Sequence, residues 1–568
     1  MKEKRNRKGK SMKKILLVAI NAKYIHSNLA VYSLKAAAGK YGDQIEIAEY
    51  TINQQPDQIL GDIYRRKPDV AAFSCYIWNG KLIGELMQEL PKILPHTEIW
   101  AGGPEVSYDA EKFLKKHPEI RGVMRAEGEG NFPKLASYYI EETGVLSEIE
   151  NLTYRDMDGN ICETPWAEPI SMDEMPFAYE NLHDFEHKII YYESSRGCPF
   201  RCSYCLSSID KRVRFRSLDL VKKELQVFLD ARVPQVKFVD RTFNCNPRRT
   251  VELLNWIQEH DNGVTNFHFE IAADITTEEE LAIMEQMRPG LIQLEIGVQS
   301  TNPKTVEAIH RTMDLTKLAE VVSRVKGFGN IHQHLDLIAG LPYENLESFQ
   351  KSFDDVYGMQ PDQLQLGFLK VLKGSGMKED ADGYEIRYHE HAPYEVLTTR
   401  WLNYGEVLTL KGVEEMVEVY YNSRQFDRTI AHIMEQYDSP YRFFLELAEY
   451  YDRKGLSGIG HSRIARYEIL RAFLEEKKLG GPDNDQCMVL DLYARENLKS
   501  RPAFAPDLSP YKEKLKNLTR DYGRQVHVEV LEKASGPEYV MFDYRKRDPL
   551  TGEAWMEVLG GAGERHDG

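Results

Sequence analysis

Three of the chain's seven cysteines, Cys198, Cys202 and Cys205, fall within eight residues of one another, inside the run S-R-G-C-P-F-R-C-S-Y-C-L from Ser195 to Leu206. The spacing is C-x3-C-x2-C. A structural zinc site takes four protein ligands, and a disulfide framework needs paired cysteines. Three neighbouring thiolates without an evident fourth suit an iron–sulfur cluster with one iron left open. A zinc knuckle, or three unrelated thiols, is the alternative that spacing alone leaves. Arg196, Gly197 and Pro199 give the segment the composition of a loop, which can wrap its thiolates around a cluster. A short apolar strand, Ile189 to Glu193, precedes the loop, and a helical stretch, Leu218 to Leu229, follows it.

The hydrophobic pattern divides the rest of the chain into an α/β N-terminal part, an α/β centre and a different C-terminal part. Over residues 14–144, strands at Lys14–Ile20, Ile45–Ile52, Val70–Tyr76, Glu98–Ala101 and Gly122–Ala126 alternate with helices. That order implies a Rossmann-like parallel sheet with helices on both faces, binding ligands at the carboxyl ends of its strands. Residues 145–188 read as a linker carrying a hairpin around Asp156–Asn160. From 189 to 372 six further strands alternate with helices, ending at Gln363–Val371, as in a partial (β/α)6 barrel with its chemistry at the strands' C-terminal ends. Residues 373–568 lose the alternation and read as a mainly helical α+β domain, with strands near Gln525–Leu531, Tyr539–Tyr544 and Trp555–Leu559.

With Tyr204 before its last cysteine, the C-x3-C-x2-C run resembles the signature of the radical S-adenosylmethionine (SAM) superfamily. The resemblance implies a 4Fe–4S cluster on Cys198, Cys202 and Cys205 whose open iron chelates SAM, and reductive cleavage of SAM to a 5′-deoxyadenosyl radical. It also carries over a set of SAM contacts: Asp240, Arg241 and Thr242 after the second strand, Glu270, Gln299 and Ser300 in E-I-G-V-Q-S, Arg311, and Asp336 in D-L-I-A-G-L-P. The turn at Asp240 lacks the glycines common there, so its contact with SAM is expected from backbone. Upstream, the turns Gly102-Gly103-Pro104-Glu105 and Glu127-Gly128-Glu129 resemble the cobalamin-binding domain of class B of that superfamily, with Tyr76 and Trp78 set to pack on the corrin. A D-x-H-x-x-G cobalt-ligand motif is missing. His26 stands nearest to its place and is read as a plain loop histidine, with a reach to the cobalt as the alternative. The C-terminal part resembles a domain of unknown function that accompanies some of these proteins, and is expected to cap the barrel and shape the substrate pocket.

The implied activity is radical C-methylation: hydrogen abstraction from an unactivated carbon and methyl transfer through methylcobalamin. Ring formation or rearrangement without net methylation, and a non-catalytic cobalamin or redox sensor, are the alternatives. Cys245 beyond the second strand is the one candidate for a direct catalytic role, set against a bland buried cysteine. The His389-Glu390-His391 run is too short a pattern to define a metal site. A net charge of −16 argues against bulk nucleic acid as a partner, leaving small molecules, lipids or peptides as substrate classes, and the resemblance implies an electron donor such as flavodoxin or ferredoxin. No apolar run is long enough to span a membrane, and clustered cysteines point to a reducing, cytoplasmic setting. The basic segment 1–13 reads as a disordered leader.

Overall fold

The computed structural model describes residues 13–210, 212–523 and 525–559; the expected leader therefore lies, but for Lys13, outside the described residues. The first strand, β1 (Ile15–Asn21), is buried along its whole length, as an apolar run must be when helices cover both faces of its sheet. It pairs in parallel with β2 (Ile45–Thr51) on one side and β3 (Val70–Ser74) on the other. The sheet continues through β4 (Glu98–Gly102) and β5 (Gly122–Met124), giving the order β2-β1-β3-β4-β5. Strand order reverses between β1 and β3, which opens a crevice at their carboxyl ends. Leu16, Val18 and Ile20 enter one core and Ile15, Leu17 and Ala19 the other, so alternate side chains of one strand hold helices on both faces.

The hairpin read as part of the linker, β6 (Leu152–Arg155) and β7 (Ile161–Glu163), instead extends this sheet as its antiparallel edge. Its Asp156-to-Asn160 turn is closed by Asp156 Oδ1, which accepts from the backbone of Asp158 and Asn160. Arg125, buried at the end of β5, donates to the carbonyls of Leu152 and Thr164 and so ties the hairpin to the parallel strands.

The remaining strands follow in chain order. They are β8 (Ile190–Tyr192), the short pair β9 (Ser195–Arg196) and β10 (Arg214–Phe215), β11 (Gln235–Phe238), β12 (Asn266–Ile271), β13 (Ile292–Gln299), β14 (His332–Ala339) and β15 (Gln363–Phe368). The chain divides into two compact units. The first runs to Ile283 and includes Ile309–Thr312 and Leu369–Leu397; the second comprises Met284–Ala308, Met313–Phe368 and the chain from Thr398. All six strands expected of the partial barrel are formed. Strand β11 lies between β8 and β12 in the first unit, and β14 between β13 and β15 in the second, all in parallel. A small hairpin, β16 (Arg387–Tyr388) and β17 (Val396–Thr398), encloses His389-Glu390-His391.

After that hairpin the C-terminal part is helical from Tyr404 to Arg495 and closes with a three-stranded antiparallel sheet of β18 (Val526–Lys533), β19 (Gly536–Arg547) and β20 (Ala554–Leu559), near the expected positions. The tyrosines and phenylalanines at helical spacing form core here. Tyr420, Tyr441, Tyr451, Phe443 and Phe444 are buried, and the Tyr420 and Tyr451 hydroxyls share a 2.7 Å hydrogen bond. Helices Leu315–Phe328, Pro482–Arg495 and Lys512–Tyr522 are additional to those read from the sequence. Among the described residues no helix is long and apolar enough to cross a membrane.

Candidate functional site

The cysteine loop leaves β9 and returns on β10, an antiparallel pair that closes its neck. Its root is fixed by Asp240, at the end of β11, which is buried and accepts four hydrogen bonds. They come from Ser194 N (2.7 Å), Ser194 Oγ (2.5 Å), Ser195 N (3.2 Å) and Ser195 Oγ (2.8 Å). Burial raises the Asp240 pKa, and the serine donors oppose that rise. With its oxygens so occupied, the Asp240 side chain holds the loop rather than a ligand. Gly197, immediately before Cys198, has φ +91°, and a Cβ there would stand 2.2 Å from the carbonyl oxygen of Arg212. Only glycine fits so close an approach in that backbone region.

Cys198, Cys202 and Cys205 are all free thiols. Cys198 Sγ lies 3.6 Å from Thr242 Oγ1, and Arg311 Nη1 lies 3.8 Å from Cys202 Sγ and 3.2 Å from the Tyr204 hydroxyl. Burial pushes the Cys198 thiol up, and the neighbouring Cys205 and Cys202 add to that push. Burial acts to lower the Arg311 pKa, but Tyr204 and Cys202 hold it above its ordinary value, so a fixed cation faces the thiols. Among the described residues no three His, Cys, Asp or Glu side chains converge on one point, as a lone metal ion requires. Three free thiols on one loop, with the Arg311 guanidinium beside Cys202, are a donor set that suits a 4Fe–4S cluster.

A cavity of about 900 Å³ opens at the carboxyl ends of the first sheet. Tyr76, Gly102, Gly103, Pro104, Glu127, Gly128 and Glu129 line it, and so do Arg196, Leu206, Ile209 and Arg212 from the cysteine loop and its flanks. Gly103 has φ +107°, and a Cβ on it would lie 2.5 Å from the carbonyl oxygen of Cys75. The turn can therefore lie flat against the sheet and leave the space above it open. The deep wall is apolar, with Leu17, Val31, Leu34, Trp100 and Leu135. A roomy apolar cavity rimmed by glycine turns fits a bulky ring system such as cobalamin.

Trp78 and Glu105 are placed elsewhere. Trp78 stacks on Tyr76 at 4.4 Å and lines a neighbouring cavity of about 450 Å³. Glu105 is engaged by Lys373 at 3.1 Å and by the Tyr394 hydroxyl. His26 also borders the smaller cavity, with Nδ1 2.6 Å from the Tyr191 hydroxyl, and it does not line the larger one.

Arg196 joins the cysteine loop to the second glycine turn. Its guanidinium meets Glu129 at 2.5 Å, Glu193 at 2.8 Å and Glu127 at 3.1 Å, while Arg214 pairs with Glu127 as well. Burial would lower the Arg196 pKa, yet Glu193, Glu129 and Glu127 raise it well above the ordinary value. Burial alone would raise Glu129, and Arg196 holds it below the usual carboxylate range. For Glu193, burial wins over the same arginine and its pKa is raised.

Of the other candidate SAM contacts, Arg241 is exposed, and Thr242 is buried with its hydroxyl donating to Arg241 O at 2.7 Å. Glu270 is half-buried near the end of β12. In the second unit, Gln299 ends β13 at φ +72°, with Oε1 buried and without a hydrogen-bond partner, an orphan acceptor of the kind a ligand donor satisfies. Asp336 on β14 stands in register with Gly297 of β13. Ser300 is fully buried, its hydroxyl donated to Glu344 Oε1 at 2.6 Å, so it supports the strand end from behind. Cys245 closes a short turn after β11, and burial pushes its thiol up to about 11, which keeps it protonated at neutral pH.

Glu344 went unnoticed in the sequence. It is fully buried, and burial raises its carboxyl from 4.5 to about 7 against hydrogen bonds from Ser300 and Ser352. A raised carboxyl makes stability fall as pH rises from 4.5 to about 7, because the unfolded chain ionises first. Glu344→Gln is expected to remove that slope, leaving the variant the more stable at pH 8 by roughly 3 kcal/mol. Thermal midpoints at pH 5 and pH 8 measure this, and parallel losses in both proteins would refute it.

Comparison with known proteins matches three family models: a B12 binding domain over residues 15–136, the radical SAM superfamily over 192–356, and a protein of unknown function, DUF4080, over 382–543. The chain is 25% identical over 316 residues to the uncharacterized methyltransferase PH0819 of Pyrococcus horikoshii, covering 54% of this chain and 66% of that protein. It is 24% identical over 349 residues to the cobalamin-dependent radical SAM methyltransferase TokK of Streptomyces tokunonensis, covering 58% and 48%. Both matches thus span less than two thirds of the relative's length. Among solved structures, the cobalamin-dependent SAM radical enzyme OxsB, with aqua-cobalamin and SAM bound, superposes with TM-score 0.56 at 14% identity, over 89% of this chain and 80% of that one. A B12 binding domain, a radical SAM domain and a DUF4080 domain thus follow one another along the chain, which is homologous to cobalamin-dependent radical SAM methyltransferases, and the first two domains imply cobalamin, a 4Fe–4S cluster and SAM as cofactors.

Proposed function

We propose that this protein is a cobalamin-dependent radical SAM methyltransferase that methylates an unactivated carbon of a small molecule or peptide, fed by a small electron-transfer protein. The observation that carries the reading is the shared wall: the large glycine-rimmed cavity is bounded on one side by the cysteine loop itself. When bound, the cluster, SAM and cobalamin together supply reductive cleavage of SAM and carriage of a methyl group. Cys198, Cys202 and Cys205 would hold the cluster, with Arg311 offsetting thiolate charge. By the resemblance, Gln299, Asp336 and Glu270 are candidates for contacts with SAM. Tyr76, Gly102, Gly103, Pro104, Glu127, Gly128 and Glu129 would line the cobalamin. Arg196 pairs with both carboxylates of the second turn and keeps Glu129 ionised without a ligand cation. The apolar inner wall keeps water from reactive species.

The test is anaerobic. The full chain is reconstituted with iron, sulfide and hydroxocobalamin, then given SAM and a reductant, and products are followed by mass spectrometry. Retained cobalamin, slow release of 5′-deoxyadenosine and formation of S-adenosylhomocysteine are expected. Deoxyadenosine without S-adenosylhomocysteine would move the reading to rearrangement or ring formation. Absence of both products would sink it.

A further inference from the structure

The first glycine turn is gripped from far along the chain. Lys373 Nζ donates to Glu105 O at 3.0 Å, and it lies 3.1 Å from Glu105 Oε1 and 3.3 Å from Asp109 Oδ2. The Tyr394 hydroxyl donates to that same Glu105 Oε1. Next to Lys373, the backbone at Gly374 lies against the Tyr108 ring. A few residues on, Met377 N donates to Ser203 O at 2.8 Å, between Cys202 and Cys205. A single stretch, Leu369–Leu397, thus touches the turn that borders the large cavity and the loop that carries the thiols, and all three belong to one compact unit. Its later part, from residue 382, begins the domain of unknown function.

We propose that residues 369–397 are a brace between the two cofactor loops, with Lys373 and Tyr394 as positioning residues that hold Gly103-Pro104-Glu105 in its cobalamin-accepting conformation. This rests on the reading of the large cavity as the cobalamin site. The contacts are strong enough for the role. Lys373 is largely enclosed, and although burial pulls its pKa down, Glu105 and Asp109 keep it above its ordinary value. Burial and Glu105 push the Tyr394 hydroxyl up to about 12, so it remains a donor throughout the working range. Removing the ammonium leaves the Glu105 carboxylate half-buried and short of one partner, and the turn relaxes outward to hydrate it.

The experiment titrates hydroxocobalamin into the reconstituted full chain by absorbance, with iron content and thermal midpoint measured alongside. Lys373→Met is expected to raise the dissociation constant about tenfold, near 1.4 kcal/mol, with iron retained. Tyr394→Phe is expected to raise it about threefold, a weaker effect because one neutral donor is lost. Lys373→Arg should restore binding, and adding Glu105→Gln to Lys373→Met should recover part of it by removing the stranded charge. An unchanged constant in Lys373→Met overturns the brace, as does a loss that Lys373→Arg shares. Should Lys373→Met not fold, Tyr394→Phe decides, and unaltered binding there overturns the proposal. Failure of the wild-type chain to bind cobalamin overturns the reading of the cavity, and this role with it.

Discussion

Arg196→Met is expected to cost roughly 3–5 kcal/mol and to loosen whatever the large cavity holds, because three carboxylates lose their common partner. Glu129 and Glu193 are largely enclosed, and Arg196 makes the ion pairs to both, with Arg214 a lesser influence on Glu129. Glu127 keeps Arg214, so the damage concentrates on the other two. The variant should also acquire a pH signature. Without Arg196, burial would set the Glu129 pKa, which would rise above its unfolded value as that of Glu193 already does. A group with a raised folded pKa favours the folded state while protonated and loses that advantage as pH rises. The deficit of Arg196→Met relative to wild type should therefore be smaller near pH 5 than near pH 8. Thermal midpoints and cobalamin retention at the two pH values measure it. A deficit independent of pH would mean that the carboxylates find another partner.

Gly197→Ala is expected to deplete the cluster almost as fully as loss of a cysteine ligand. The left-handed conformation alone costs an ordinary residue about 1–2 kcal/mol, and the added methyl would meet backbone rather than a pliable side chain. A Cβ 2.2 Å from the Arg212 carbonyl oxygen cannot be accommodated without parting β9 from β10. Those strands close the neck of the cysteine loop, so the three thiols lose their common frame while each remains chemically intact. Iron and sulfide per chain after anaerobic reconstitution should fall towards the Cys198→Ala level. Full loading of Gly197→Ala would show that the neck is not needed to assemble the site.

Local pattern made much of this legible beforehand. The C-x3-C-x2-C run, the βα alternation and the two glycine turns each depend on neighbours in sequence, and all fall where the fold needs them. What stayed hidden depends on long separations. Nothing local marks Asp240 as the anchor of Ser194 and Ser195: its turn reads as a backbone contact, which leaves the side chain's role unassigned. Glu105 followed two glycines and a proline, so it read as part of a cradle. Its actual partners, Lys373 and Tyr394, come more than 260 residues later. Ser300 was read forwards, towards a ligand, when its hydroxyl points back to Glu344. The Asp156–Asn160 hairpin was recognised, but an edge strand's partner lies outside its own sequence, so it passed for linker. Arg196 carried a usable hint: a cation beside the first cysteine, in a chain whose upstream turn reads Glu-Gly-Glu-Gly, asks for pairing.

The shared wall of the large cavity also makes its closure depend on the cysteine loop. Leu206 and Ile209 come from the segment just after the last thiol, and Arg196 and Arg212 from the neck that closes the loop. Until that loop has folded, the cavity has a floor but one side missing. A change that unseats the loop would therefore open the cavity as well, so damage to the thiol frame and loss of the cavity's closure are expected together.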